Sequence, residues 1–171
     1  MSITSKYDVD GGSYDALYRG EQTAKLEAAL KAGWAPGERL VDIGCGTALL
    51  TSRLARGCDL AVGLDISSGM LKKAKPRKRV ELVRGEASYL PFRSDSFTSC
   101  VCFTSFHHFR RKLQAIDEMA GLVNHGGSIV FSLLSRGGEP NDELRIRRSR
   151  RLEIRSRLTA GNDSLLIMRR L

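Results

Sequence analysis

LVDIGCGTA, at residues 40–48, predicts a buried strand, a sharp glycine turn and the start of a helix that runs over 48–55. The turn holds Gly44 and Gly46, which let the backbone bend tightly and pass close to a ligand. Asp42 stands just before the first glycine. A glycine turn between a strand and a helix is typical of nucleotide-binding α/β proteins, so we expect a ligand site here rather than a plain tight turn.

The rest of the chain continues this alternation of strands and helices. Apolar runs predict strands at 39–43, 60–64, 80–83, 99–103 and 128–134, and helices are predicted at 20–33, 67–74, 111–123 and 139–150. Ser67 is predicted to cap the helix that follows it. The apolar stripe of the helix at 111–123 is made of Leu113, Ile116, Ala120 and Val123.

These elements predict one α/β domain over 1–171: a three-layer, doubly wound, mostly parallel sheet with a C-terminal antiparallel hairpin. Residues 1–19 would form a leader or lid, 20–134 the cofactor-binding core, and 135–171 a basic helix and a closing hairpin whose turn is AGND at 160–163. Ligands of such sheets bind at the carboxyl ends of the strands. The strand at 80–83 would be an edge open to a partner.

The composition is that of an ordinary globular protein, with 171 residues of which 42% are hydrophobic. No apolar run approaches the length of a membrane span, and the start, MSITSKYDVDGG, lacks the features of a secretory signal. We therefore expect a cytoplasmic protein. The four cysteines include no CxxC pair and form no array with the histidines, so we expect free thiols and no metal site.

The chain is strongly basic, with a formal net charge of +9. Basic residues crowd three stretches, which run from Lys72 to Arg79, from Arg110 to Lys112 and from Arg145 to Arg157. One interpretation is a cationic face that binds the phosphates of RNA. The other is a solvated surface that keeps the protein soluble. Charge alone leaves both open.

Two acidic residues follow later predicted strands. Asp65 ends the second strand, about twenty residues past the glycine turn, where a carboxylate can accept hydrogen bonds from both hydroxyls of a ribose. Glu86 follows the third strand and can accept a hydrogen bond from the amine of adenine. Their alternative roles are a helix N-terminal acid for Asp65 and a surface glutamate for Glu86.

A nicotinamide cofactor would share this fold and the ribose acid, but three features count against it. The dinucleotide motif requires a glycine where this chain has Leu49. The closing hairpin takes the place of a second mononucleotide-binding half, and no length remains for a substrate domain.

Together these residues resemble the class I S-adenosylmethionine-dependent methyltransferases, from about Glu38 to Leu134. The resemblance implies that the turn with Asp42, Gly44 and Gly46 holds the methionine portion, that Asp65 holds the ribose, and that Glu86 and Ala87 lie at the adenine. Further cofactor contacts implied by the family are Cys45, Ile66, Met70 and Phe103. The segments LPF at 90–92, FTSFHHF at 103–109 and GG at 126–127 also match the family. Ala48, Thr98, Asn124, His125 and Glu86 depart from its usual residues.

The resemblance implies S-adenosylmethionine as methyl donor and S-adenosylhomocysteine as product. Since the methyl group is already activated, positioning can supply much of the catalysis, and no catalytic residue is obligatory. His107 and His108 are candidate bases, with packing at the start of the next helix as their alternative role. Tyr14 and Tyr18 are candidate lid residues.

The acceptor stays open among several classes. The segment LPFRSDSFTSCVCFTSFHHF, at 90–109, resembles the methyltransferases that modify wobble uridines of tRNA, some of which work with a small zinc-binding activator subunit. This implies RNA modification, on tRNA or another translation component, with a possible activator partner. The alternatives are a small-molecule methyltransferase and a cofactor-binding, non-catalytic scaffold or activator subunit.

Overall fold

The computed structural model describes residues 11–75, 78–134, 139 and 141–171, with side chains from residue 19 onward. Among these, helices and strands alternate along the chain. In order they are α1 (Gly11–Lys31), β1 (Arg39–Ile43), α2 (Leu49–Leu54), β2 (Leu60–Asp65), α3 (Ser68–Lys73), β3 (Val80–Arg84), β4 (Phe97–Cys102), α4 (Lys112–Leu122), β5 (Val123–Leu134), α5 (Asp142–Arg147), β6 (Leu152–Ala160) and β7 (Asp163–Arg170).

The strands form one seven-stranded sheet in the order β3-β2-β1-β4-β5-β7-β6. The first five strands of this order are parallel, and β7 runs antiparallel to both β5 and β6. The mostly parallel sheet with a C-terminal antiparallel hairpin is therefore confirmed. The chain moves from β1 outward to β2 and β3 and then returns to β4, so the strand order switches between β1 and β4, where α/β sheets bind ligands.

The sheet is covered on both faces, because successive side chains of a strand point to opposite sides. Val41 and Ile43 of β1 belong to a core cluster shared with Ile116 and Met119 of α4. Leu40 belongs to the second cluster, together with Leu26 of α1 and residues of α2. These two clusters are the interfaces between the sheet and its two helical layers, as the doubly wound prediction requires.

The predicted stripe of α4 is partly wrong. Leu113 is 51% exposed, whereas Lys112 is only 6% exposed and lies on the buried face with Ala115, Ile116 and Met119. Positions 112, 115, 116 and 119 follow the spacing of one helical face, and Leu113 falls outside it. The pattern of apolar residues alone misses this face because one of its positions is a lysine.

Several boundaries also differ from the prediction. Helix α1 begins at Gly11 and not at 20, so much of the expected leader at 1–19 is helical backbone. The expected turn at 125–127 lies inside β5, where Gly126 has a φ of 80° and the pairing with β4 shifts register. The helix expected at 139–150 is confined to Asp142–Arg147. Within the described residues, no helix combines the length and apolar character needed to cross a membrane.

Candidate functional site at the carboxyl ends of the strands

A cavity of about 330 Å³ opens where the first four parallel strands end. Its walls come from the turns that follow β1, β2, β3 and β4, and from α1. It collects most of the residues singled out from the sequence: Gly44, Cys45, Gly46, Asp65, Ile66, Met70, Glu86, Ala87, Phe103 and His108.

The glycine turn after β1 is shaped by close packing. Gly44 has a φ of 79°, and a Cβ atom there would overlap the side chain of Ser105 in the loop after β4. The amides of Gly44 and Cys45 both donate to the carbonyl of Leu64, at 2.7 and 3.0 Å. The turn is thus tied to the end of β2, and Gly44 permits the loop after β4 to approach it.

Asp65 is held rigidly at the end of β2. One carboxylate oxygen accepts a hydrogen bond from the amide of Gly46 at 2.8 Å, and the other accepts one from the amide of Ser67 at 2.8 Å. A carboxylate has about four acceptor positions, so each oxygen retains capacity for a ligand. Ser67 also caps α3, as predicted, by accepting a hydrogen bond from the amide of Met70 at 3.2 Å.

Asp42 lies behind the turn rather than on the cavity wall. It is only 2% exposed, and the hydroxyl of Thr51 donates to its carboxylate at 2.6 Å. Burial raises the pKa of Asp42 to about 7, the hydrogen bond from Thr51 opposes this rise, and the nearby Asp65 adds to it. Its assignment to the methionine portion of a cofactor stays a prediction, and any such contact has to act through the turn.

The remaining predicted contacts follow three different strands around the cavity. Glu86 is exposed and begins a tight turn in which its carbonyl accepts the amide of Tyr89 at 3.0 Å. Met70 is buried and Ile66 is 46% exposed, both in the segment after β2, the neighbour of β3. Phe103 is also buried but follows β4, on the other side of β1. The side of the cavity beside β2 and β3 therefore offers apolar surface and one carboxylate, which suits a flat, amine-bearing ring.

Residues 41–131 match the family described as Methyltransferase domain, which is more than half of the chain. The chain belongs to this family. A demethylmenaquinone methyltransferase from Corynebacterium kroppenstedtii is 31% identical over 133 residues, covering 75% of this chain and 55% of that protein. The chain spans about half the length of the curated relatives it matches.

Solved structures share the fold of the described residues. One is a complex between the Haloferax volcanii Trm112 methyltransferase activator and the methyltransferase named with it, with a TM-score of 0.84, 14% identity and coverage of 99% of this chain and 98% of that one. Another is magnesium protoporphyrin IX methyltransferase from Synechocystis PCC 6803 with bound SAM, with a TM-score of 0.77, 17% identity and coverage of 99% and 95%. At these identities the likeness establishes the shared fold.

Sequence reasoning missed several wall residues of this methyltransferase domain. These are Gln22, Thr47, Leu64, Ser67, Gly85, Ser88, Thr104, Ser105, Phe109 and Arg110. Thr104, Ser105 and Phe109 lie in the FTSFHHF segment, whose match to the family was a usable signal. Gln22 carried no such signal, because its place on the wall depends on how α1 crosses the sheet.

The two candidate histidines occupy different positions. They end a short 3₁₀ turn, Phe106–His108, with ring centroids 3.7 Å apart. His108 lies on the cavity wall, whereas His107 is half-buried and does not line it. Burial above all, and then the nearby His108 and Lys112, lower the pKa of His107 to about 4. His107 is therefore neutral at pH 7 and a weak base.

The tyrosines proposed as a lid cannot be placed by their side chains. The backbone of Tyr14 and Tyr18 belongs to α1, but their side chains lie outside the described residues. A lid role for them stays a prediction.

The next question is whether the potential metal ligands among the described residues come together. Within the described part of the chain, no group of three or more potential metal ligands comes together. All four cysteines are free. Burial raises the pKa of Cys102 to about 12, so this thiol remains protonated at neutral pH.

Two of the basic stretches are partly neutralised within the fold. Lys112 is buried and pairs with Asp142 at 2.8 Å and with Glu139 at 3.0 Å, so it is not part of a cationic surface. In the third stretch, Arg147 and Arg157 both pair with Glu143. The sequence pattern overstated the cationic surface because the interleaved acids lie beside these cations.

Two exposed arginines, Arg151 within the third stretch and Arg169 after it, lie away from the cavity. Arg169 stands opposite Ser128 in the middle of β5, and Arg151 approaches Gly121 at the end of α4. The cavity lies toward the carboxyl end of β5, where the amide of the wall residue Thr104 donates to Ser132, four residues along β5 or about 13 Å away. In the first stretch, Arg79 likewise precedes β3, and Pro76 and Arg77 lie outside the described residues.

Proposed function

We propose that this protein binds S-adenosylmethionine in the cavity at the strand ends and transfers its methyl group to an acceptor. The observation that carries the proposal is the carboxylate of Asp65, which two backbone amides hold at the cavity wall at 2.8 Å each. A fixed carboxylate with spare acceptor positions suits the two hydroxyls of a ribose. Membership of the methyltransferase domain family supports the same ligand.

The other residues fit the remaining parts of this cofactor. The glycine turn would face the methionine portion of the cofactor. It would bind this portion through its shape rather than through hydrogen bonds, because the amides of Gly44, Cys45 and Gly46 already donate to partners within the fold. Ile66 and Met70 would contact the adenine, with Glu86 accepting its amine. A cavity of about 330 Å³ lies within the range of cofactor sites.

When bound, the cofactor supplies a methyl group on a positively charged sulfur, which is transferred by in-line displacement. The protein's own part is to orient the acceptor and exclude water. The loop after β4 is proposed to face the acceptor. Its residues on the cavity wall are Thr104, Ser105, His108, Phe109 and Arg110. A side chain acting as base is needed only for an acceptor that must lose a proton early.

A small-molecule acceptor is one candidate. The exposed Arg151 and Arg169 lie away from the cavity, so an acceptor confined to it does not touch them, whereas the exposed Arg110 lines the cavity and is within reach of such an acceptor. The similarity to demethylmenaquinone methyltransferases, which act on a small molecule, points the same way.

RNA is the second candidate acceptor, supported by the net charge of +9. An RNA acceptor that contacts Arg151 and Arg169 also has to reach the cavity. The test is RNA binding against salt concentration for the wild type and for Arg151→Gln/Arg169→Gln, with Lys31→Gln/Arg56→Gln, two exposed cations outside the three basic stretches, as a control of equal charge. A weaker salt dependence in the arginine variant alone supports RNA. Equal behaviour of both variants removes this surface from consideration.

A small activator subunit is a further proposed partner. The methyltransferase fold of this chain matches one solved in complex with the Trm112 activator. Strand β3 is an edge of the sheet, and an edge strand presents unpaired backbone groups to a partner. The amide of Leu82 points away from β2, because the amide of Ala61 donates to Arg79 and the parallel ladder then uses the amide of Glu81. Copurification of this chain with such a subunit, lost when Leu82→Pro blocks the edge, supports the pairing. Copurification that survives Leu82→Pro excludes β3 as its site.

Calorimetric titration with S-adenosylmethionine and S-adenosylhomocysteine tests the central proposal. Asp65→Ala should abolish measurable binding, whereas Asp59→Ala, an exposed acid at the opposite end of β2, should bind like the wild type. Equal binding by all three proteins contradicts the role of Asp65. Binding without methyl transfer to small-molecule or RNA pools indicates a cofactor-binding scaffold.

A further inference from the structure

Lys25 of α1 is a charged side chain with no solvent exposure at all. Three groups from different parts of the chain meet its ammonium. It forms ion pairs with Glu21, one turn earlier in α1, and with Asp163, the first residue of β7. It also donates a hydrogen bond to the hydroxyl of Thr104 at 2.9 Å. A buried ammonium is strongly unfavourable without such partners, so these three acceptors are held at fixed positions around it.

One of these acceptors belongs to the cavity. Thr104 lies on the cavity wall with a φ of 58°, a conformation that side-chain-bearing residues rarely adopt. Its amide donates to the hydroxyl of Ser132 at 3.0 Å, which fixes its backbone, while Lys25 fixes its side chain. Thr104 directly follows Phe103, so its placement also sets where this aromatic wall residue lies.

The cation also fixes the helix that forms another side of the cavity. Gln22 stands three residues before Lys25 on α1, so the two side chains lie on the same helical face, and Gln22 lines the cavity. Asp163 pairs with Leu134 at the end of β5, which places the hairpin turn at the cavity end of the sheet. Helix α1, the loop after β4 and the hairpin therefore meet at one ammonium.

We propose that Lys25 is a positioning residue that joins α1 and the hairpin to the loop after β4 and so sets the cavity wall formed by Gln22 and Thr104. It does not line the cavity itself, and it acts on a ligand only through these neighbours. The proposal rests on the proposed function for the ligand, but the geometry of the junction is independent of it.

The first test measures the junction without a ligand. Amide hydrogen exchange is compared for the wild type, Thr104→Val and Lys31→Met, the last being an exposed lysine in the final turn of α1. Thr104→Val removes the hydroxyl while leaving both ion pairs of Lys25 intact, so it should fold. Exchange at 103–105 and at 21–26 of α1 should rise about tenfold in Thr104→Val and stay unchanged in Lys31→Met. Unchanged exchange at both segments in Thr104→Val overturns the proposal.

The second test measures the ligand in a mutant cycle. Lys25→Met, Thr104→Val and the double variant are titrated with S-adenosylhomocysteine well below their melting temperatures. Each single change should weaken binding, Lys25→Met by about tenfold, and the double variant should be no weaker than Lys25→Met because the shared hydrogen bond is already lost. A lower melting temperature with unchanged affinity marks Lys25 as merely structural and refutes the proposal. Absence of binding in the wild type refutes the proposed function instead and leaves the exchange test to decide on Lys25.

Discussion

Gly44→Ala should be among the most harmful single-methyl additions to this chain, and its cost can be worked out from the structure. Gly44 has a φ of 79°, and a side-chain-bearing residue pays about 1 to 2 kcal/mol for a left-handed conformation. The new Cβ would also overlap the side chain of Ser105, so the loop after β4 has to move.

The displaced loop adds to this cost. The hydroxyl of Ser105 donates to the carbonyl of Ile43 at 3.0 Å, and losing a bond of this kind costs about 1 kcal/mol. The free energy of unfolding should therefore fall by about 2 to 3 kcal/mol in Gly44→Ala. Affinity for S-adenosylhomocysteine should fall as well, because the glycine turn and Ser105 both line the cavity.

Two other glycines separate the causes. Gly33 has a φ of 86° but open space around it, so Gly33→Ala should show only the conformational cost, about 1 to 2 kcal/mol. Gly20 lies within α1 with open space and no positive φ, so Gly20→Ala should stabilise the protein by about 0.5 to 1 kcal/mol. Urea unfolding monitored by circular dichroism measures all three. The reasoning is refuted if Gly44→Ala costs no more than Gly33→Ala, or if its affinity for S-adenosylhomocysteine is unchanged.

Three further changes test the buried charges. Because the pKa of Asp42 is raised to about 7, the native state binds more protons than the unfolded state between pH 4 and 7. The free energy of unfolding therefore falls as pH rises through that window. Asp42→Asn should remove this fall and be more stable than the wild type at pH 8 by about 2 to 4 kcal/mol. The pKa of His107 is lowered to about 4, so the native state binds fewer protons up to pH 6.5, and His107→Gln should remove a rise in stability between pH 4 and 6.5. Lys112→Met leaves the buried carboxylate of Asp142 with Arg145 and the amide of Glu139 as its remaining partners, and should cost about 3 kcal/mol. Urea unfolding across pH values checks all three.

Exposed residues of the same types provide the controls. Asp117→Asn, His125→Gln and Lys72→Met alter solvated side chains and should change the free energy of unfolding by less than about 0.5 kcal/mol. A flat stability of the wild type between pH 4 and 8 that matches Asp42→Asn contradicts the raised pKa of Asp42. A cost for Lys112→Met no larger than that for Lys72→Met contradicts the buried pairing.

The fold could be predicted from the sequence because its signals are local. The apolar run at 39–43 and the glycines after it specify a strand and a turn, and β1 occupies the predicted residues. The serine before α3 acts as the predicted cap through its own side chain. The hairpin was marked by its turn residues and lies where expected, between Ala160 and Asp163.

The features that escaped prediction depend on distant parts of the chain. Lys112 is buried because Asp142, thirty residues later, folds against it. Gln22 reaches the cavity, and Lys25 is fully buried, because α1 crosses the sheet beside the β6–β7 turn. Lys112 follows the spacing of the buried face of α4, but a lysine normally indicates solvent, as do the residue types of Gln22 and Lys25.

The structure of this protein bound to S-adenosylhomocysteine tests the central claim most directly. Crystals grown at a saturating concentration should show the ribose hydroxyls within about 3 Å of the carboxylate of Asp65, with the adenine beside Ile66 and Met70. A ligand bound elsewhere, or a ribose turned away from Asp65, would contradict the account.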